Sequence, residues 1–220
     1  MKEPFEFFHY IHGIPLYVSH AWLVMGILLG VALAVRGAMA LKPAGLQNFL
    51  ESVLDVFVGL LDDAMGREHG KRVFPLIASL GLFILLGNFL GLVPGFGAPT
   101  GNINTTLALA LPVFLYTHVL GLQHHGLGYI KHFTGPIMWL APLMIPIELI
   151  GHLARPLTLS VRLFGNMTAK HYILAILGVL SPWIVPSAIL ALGTLVSVIQ
   201  AYVFVLLSTL YLAGAIEHAH

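Results

Sequence analysis

A chain of 220 residues in which 58% are hydrophobic and 9% charged departs sharply from soluble domains, where roughly a quarter of the residues carry charge. A soluble globule is excluded. A formal net charge of +1, from ten Lys and Arg against nine Asp and Glu, offers no basic face to neutralise phosphates and sets nucleic-acid binding aside. With no cysteine, disulfides, thiolate metal sites and thiol nucleophiles drop out, so any chemistry rests on Arg, Lys, His, Glu, Asn and Gln.

At roughly 20 apolar residues per crossing, the composition supports an all-α polytopic membrane protein of about five spans, residues 1–220 forming a single membrane domain. Residues 1–20 are rich in aromatics and His, with Lys2, Glu3 and Glu6, and the apolar run from Ala21 to Val35 follows. Ala38-Met39-Ala40 resembles the end of a signal peptide, but the leading segment is acidic where a basic one is needed, and Arg36 interrupts the approach. A retained first span over about 20–40 is expected.

Residues 46–66 read as an amphipathic helix. Leu46, Phe49, Leu50, Val53, Phe57, Leu60, Leu61 and Ala64 recur at three- and four-residue steps, while Asn48, Glu51, Ser52, Asp55 and Asp62 fall largely opposite. Interfacial helices usually carry cations on the polar face. This one carries acids, so packing on neighbouring protein is as open as lying on the membrane surface.

Residues 73–122 are expected to form a helical hairpin, its first arm interrupted by Asn88 and closed by Pro94-Gly95, its second opening with Asn104, Thr105 and Thr106. A polar stretch with His124, His125, Lys131 and His132 leads into one long apolar region with a natural break over Gly178 to Pro186. That leaves two long helices, 136–177 and 183–216. Both exceed the bilayer thickness and require strong tilt or kinking, for which Pro142, Pro146 and Pro156 are candidates.

The basic residues set the orientation. With the amino terminus outside, Arg36, Lys42, Arg67, Lys71, Arg72 and Lys131 fall inside and only Lys2 outside, in accord with the positive-inside rule. The carboxyl terminus, Glu217 to His220, is then cytoplasmic.

The fourth long apolar segment carries Glu148, His152, Arg155, Arg162, Asn166 and Lys170. At about 100° per residue these fall within a stripe roughly 80° wide. Glu148 and Arg155, seven residues apart, could simply neutralise each other while Lys170 snorkels to the interface. Arg162 has no acid within four residues, and an unpaired Arg in a span costs from about 2.5 to more than 10 kcal/mol depending on the measure. Its partner is expected on another chain or in a water-filled path. On the last helix Gly193, Ser197, Gln200, Ser208 and Tyr211 form a comparable stripe. Small-residue packing explains most of it, but a buried Gln200 needs partners, and contact with the Arg162 stripe is the sharper expectation.

At these residues a resemblance emerges. Arg155-Pro156-Leu157-Thr158-Leu159-Ser160-Val161-Arg162-Leu163-Phe164-Gly165-Asn166-Met167 resembles the signature of subunit a of F-type ATP synthases. Asn88-Phe89-Leu90-Gly91-Leu92-Val93-Pro94-Gly95, Pro99-Thr100-Gly101-Asn102-Ile103-Asn104-Thr105-Thr106, Pro146-Ile147-Glu148 and Gln200-Ala201-Tyr202 are similar to family segments in the same order. The resemblance covers nearly the whole chain and is weakest over the first 40 residues.

It implies a stationary proton-path subunit, not catalytic by itself and without a cofactor or metal, in a bacterial inner membrane. Implied partners are the c-subunit ring, the peripheral-stalk b subunits, the rest of the ATP synthase, membrane lipid and protons, with sodium left open. It further implies that Arg162 faces the c-ring carboxylate between two offset half-channels, that Glu148, Asn166 and Gln200 line the path or support the Arg, and that Asn102 and Asn104 belong to the outer side.

The sequence departs from the family where many members read Ala-Gly-Glu after the Asn-Met. Here stand Ala169-Lys170-His171, and the facing position often held by His is Gly193. Either His171 relays protons in the outer half-channel, its pKa lying near neutrality and tuned by Lys170, or both are interfacial and water alone fills the channel. Other classes fare worse. A stand-alone secondary transporter or ion channel would suit the Pro-broken helices and intramembrane charge, but no internal repeat is evident. An intramembrane hydrolase lacks both His-Glu-x-x-His and Gly-x-Ser-x-Gly.

Overall fold

A computed structural model describes residues 14–37, 45–93, 95–126, 141–180 and 184–216. Lys2, Lys42, Pro94, Lys131, the start of the fourth span at 136, the centre of the break at 181–183 and the Glu217–His220 tail lie outside the described residues.

Among the described residues the chain is helical, with no strand: α1 (Leu16–Gly37), α2 (Leu46–Leu90), a 3₁₀ turn (Pro99–Gly101), α3 (Ile103–His125), α4 (Ala141–Leu180) and α5 (Ile184–Ile216). The all-α polytopic fold expected from composition is the fold observed. By length and composition, α1, α3, α5 and the second half of α2 can cross a membrane. At 40 residues α4 is long enough too, but its polar stripe dilutes its apolar character.

Gly66 divides α2. Its φ of 75° and ψ of 162° belong to a region only glycine occupies without strain, so the helix bends between its acidic first half and its apolar second half. Pro156 of α4 cannot donate to the carbonyl four residues back, leaving part of the ladder open. Near it the Thr158 hydroxyl donates to the Ala154 and Arg155 carbonyls at 2.8 and 3.0 Å, back-bonding of the kind that bends helices.

Two apolar clusters stack along the bundle. One joins Leu80 and Ile84 of α2, Ala110 and Val113 of α3, Leu159, Leu163 and Met167 of α4, and Ala201 and Phe204 of α5. The other joins Phe57, Leu61, Val73 and Ile77 of α2 to Leu120 of α3 and Val205 and Leu212 of α5. At Gly81, α2 and α5 approach so closely that a Cβ would lie 2.7 Å from Val205 Cγ2 and 2.9 Å from the Phe57 ring. Small residues that let helices touch take the place, inside lipid, of a hydrophobic driving force.

The 3₁₀ turn and α1 close one end. His20 is buried, its Nδ1 donating to the Leu16 carbonyl at 2.8 Å and its Nε2 accepting from the Gly97 amide at 3.3 Å. One donor and one acceptor describe a neutral imidazole, which pins α1 to the loop that precedes α3.

Candidate functional site

The polar stripe of α4 meets α5 in antiparallel register, and it resolves into three levels. At the first, nearest the 3₁₀ turn, Lys170 is only 9% exposed. Its Nζ donates to Ser197 Oγ at 3.3 Å, and the Ser197 hydroxyl donates to the Gly193 carbonyl at 2.7 Å. A Cβ on Gly193 would come within 2.9 Å of Lys170 Cδ, so the aliphatic stem of the lysine lies in the notch that the glycine leaves. Snorkelling of Lys170 to the interface is therefore corrected: burial against apolar stem atoms with a hydroxyl at the charged tip is a better solution once α5 supplies the notch.

The same level holds a buried polar chain that sequence reading registered only as an interruption. Thr100 Oγ1 donates to Asn88 Oδ1 at 2.7 Å, and Asn88 Nδ2 donates to the Ser197 carbonyl at 3.3 Å. An Asn within an otherwise apolar span was the available signal, because an amide buried there must find partners. Thr168 reaches the Gly101 carbonyl at 3.3 Å. Beside it, a cleft of about 350 Å³ is lined by Gly97, Ala98, Gly101, Met167, Thr168, His171, Tyr172 and Ala175, placing exposed His171 on its wall.

Asn102 and Asn104 sit at the rim of this end. Asn102 Oδ1 accepts the Asn104 amide at 2.9 Å and so caps α3, while Asn104 Nδ2 donates to the Tyr17 hydroxyl at 3.4 Å. The turn chemistry of Asn102 thus fixes where α3 begins, and Asn104 ties that start to α1.

At the second level Asn166 Nδ2 donates to Gln200 Oε1. Gln200 is buried, and the contact expected between it and the Arg162 stripe is made by Asn166. Arg162, one turn away, is exposed. Among the described residues it has neither an ion pair nor a hydrogen bond. It shares its side of α4 with Thr158, Gly165 and Ala169, all exposed, and a Cβ on Gly165 would meet nothing within 4 Å. This is a small-residue surface with a guanidinium at its centre.

The third level lies about 10 Å further along α4 by helical rise. Glu148 Oε1 is 3.4 Å from His152 Nε2, and the Arg155 guanidinium lies 5.5 Å from the centre of the Tyr211 ring, within the range of a cation–π contact. The simple neutralisation of Glu148 by Arg155 is corrected accordingly: the i,i+4 spacing brings His152 to the carboxylate, and α5 offers Arg155 an aromatic face. His152 is 4% exposed and packs against His118 of α3, ring centres 5.4 Å apart. No sequence stripe included His118, because the contact joins two helices. Among the described residues no three His, Asp or Glu side chains gather as a metal site.

Comparison with known proteins bears on this arrangement. The family model described as "ATP synthase A chain" matches residues 18–213. Among curated relatives, the chain is 52% identical to "ATP synthase subunit a 2" of Syntrophotalea carbinolica, over 95% of this chain and 89% of the relative. It is 47% identical to "ATP synthase subunit a" of Geobacter sulfurreducens and 46% identical to "ATP synthase subunit a 3" of Pelobacter propionicus, over the whole of both chains in each pair.

Proposed function

The chain belongs to the ATP synthase A chain family, and from that premise we propose that it forms two offset half-channels to a rotating c ring, with Arg162 as the gate between them. Family membership makes it a multi-pass subunit of the membrane sector of a proton-translocating ATP synthase in a bacterial inner membrane. It catalyses no bond chemistry of its own in this reading.

One observation carries the proposal. Arg162 is exposed on a small-residue face of α4 with no acceptor among the described residues, although the other two cations of the helix contact groups on α5. A charge left open within a membrane sector is stable only against a charge or water supplied from outside the chain. A ring carboxylate fits that need, and Thr158, Gly165 and Ala169 give a ring helix room to approach.

The chemistry follows from guanidinium. It stays protonated in proteins, so it presents a fixed positive charge that favours the ionised form of a carboxylate passing it. A proton therefore cannot cross directly from one half-channel to the other and must ride the ring. Asn166 and Gln200 hold each other beside the gate, which keeps their amides from competing for the ring carboxylate. One charge crossing 100 mV is worth about 2.3 kcal/mol, and the rotor takes up that energy as torque.

The cleft beside His171 is assigned to the outer half-channel, with Lys170 and the rim residues Asn102 and Asn104 as the framework that bounds it, and Glu148 to the inner one. The amino terminus is outside and the carboxyl terminus cytoplasmic, with the c ring and the stalk b subunits as protein neighbours. Replacing Arg162 with Ala in the full complex is expected to abolish ATP-driven proton pumping in inverted vesicles while the c ring still copurifies. Pumping at the parental rate would overturn the assignment.

A further inference from the structure

We propose that His118 and His152, with Glu148, form a proton relay that carries the inner half-channel from the level of Arg155 toward the cytoplasmic surface. The inference rests on the two-half-channel reading above and adds to it a residue, His118, that the α4 stripe does not contain.

Geometry supplies the first argument. His152 is 4% exposed, lies between the Glu148 carboxylate at 3.4 Å and the His118 imidazole with ring centres 5.4 Å apart, and so joins α4 to α3. Imidazole is the one side chain that loads and unloads protons near neutral pH without a strong perturbation. At 3.4 Å the carboxylate lies just beyond direct hydrogen-bond reach of His152 Nε2, so transfer runs through one intervening water. Phe114 sits edge-on to His118 with ring centres 4.5 Å apart, which holds the His118 ring in place.

The surroundings supply the second. A cavity of about 10 Å³ is bounded by Thr117, His152, Arg155 and Tyr211 among others, close to the smallest volume that holds a single water. Among the described residues, the charged and titratable groups seen to face the relay are Glu148 and Arg155 from α4, Tyr211 from α5 and the two imidazoles themselves. On α5 the Ser208 hydroxyl is fully buried and has no hydrogen-bond partner among the described residues, one turn from Tyr211. It offers a further polar stop toward Gln200.

The third is continuity. His125 falls on the same face of α3 as His118, seven residues on, and His124 meets His69 of α2 edge-on with ring centres 4.9 Å apart. His124 is exposed. The histidines therefore run from the end of α3 inward over about 10 Å of helical rise. In the synthesis direction a proton released from the ring is taken up by Glu148 or His152, passed to His118 and delivered to water. Only N–H and O–H bonds are made and broken.

The test uses the whole complex in vesicles, with pH varied on the cytoplasmic side alone. His152→Gln and His118→Gln are each expected to slow proton flux on the order of tenfold, less than loss of a directly reacting acid–base group would cost. Both should flatten the dependence on cytoplasmic-side pH and leave the opposite side's dependence unchanged, and the double variant should be no slower than the slower single. Parental flux and pH profile in both assembled variants, or fully multiplicative losses in the double, would overturn the relay. Should His152→Gln fail to assemble, His118→Gln decides alone, since its ring is partly exposed. Arg162→Ala run in parallel separates the two readings: its failure to uncouple removes the gate, whereas unchanged His variants beside an uncoupled Arg162→Ala remove only the relay.

Discussion

Two levels of α4 treat positive charge in opposite ways. Lys170 is folded into the notch at Gly193 and donates to Ser197, and around it Asn88, Thr100 and Ser197 satisfy one another. Arg162, about 12 Å away along the helix, is exposed and unsatisfied among the described residues. The first level is complete within one chain and acts as framework; the second is half of a site. A polar group inside a membrane protein is thus informative by where its partner lies, since closure within the chain points to stability and openness to function.

That contrast predicts which measurement each substitution moves. The largest effect is on transport: Arg162→Ala should bring pumping to background and leave the apparent Tm of the purified complex nearly unchanged, because no hydrogen bond or ion pair among the described residues is lost. A comparable drop in stability would mean that Arg162 is framework after all. Next comes the framework itself. Gly81→Val drives side-chain atoms into Val205 and Phe57, and overpacking of this kind costs about 1–3 kcal/mol or more, read as a lower Tm or loss of assembled complex.

Gly193→Val tests the notch. It should destabilise by about 1–3 kcal/mol, and Lys170→Ala in the same chain should recover a part, since contacting residues couple by about 0.5–3 kcal/mol. Strict additivity in that cycle would show that the lysine stem does not occupy the notch. The smallest effect is at the rim. Asn102→Ala removes the cap of α3 and should cost about 1 kcal/mol, whereas Asn102→Asp keeps the acceptor and should be close to neutral in stability. A large loss of flux in Asn102→Asp with intact stability would move Asn102 from framework into the proton path.

Much of this was legible in the sequence, and the limits are physical. Helical periodicity alone aligned Glu148, His152, Arg155, Arg162, Asn166 and Lys170, because residues on one helix have a fixed angular relation whatever surrounds them. The same arithmetic on the last helix singled out Gln200. What it could not supply was any contact between helices: the notch that buries Lys170 depends on Gly193 of α5, Arg155 turns to Tyr211, and His118 joins His152 from α3. Glu148 shows the same limit within one helix, since spacing suggested Arg155 as its partner, whereas in the fold His152 lies 3.4 Å away and Arg155 turns to Tyr211. The bend at Gly66 lay between those extremes, a glycine whose positive φ becomes evident only in the fold.

The most direct test of the open level uses the absence of native cysteine. Ala169, two turns from Arg162 on the same side of α4, and Leu157, about 140° away from Arg162 around the helix, are both exposed. Single cysteines at each position are paired with a cysteine beside the carboxylate of a ring helix, and disulfide formation is scored in the assembled complex. Cross-linking from Ala169→Cys and none from Leu157→Cys is the expected result. Cross-linking from Leu157→Cys alone would place the ring on another face of α4 and contradict the assignment of Arg162 as the gate.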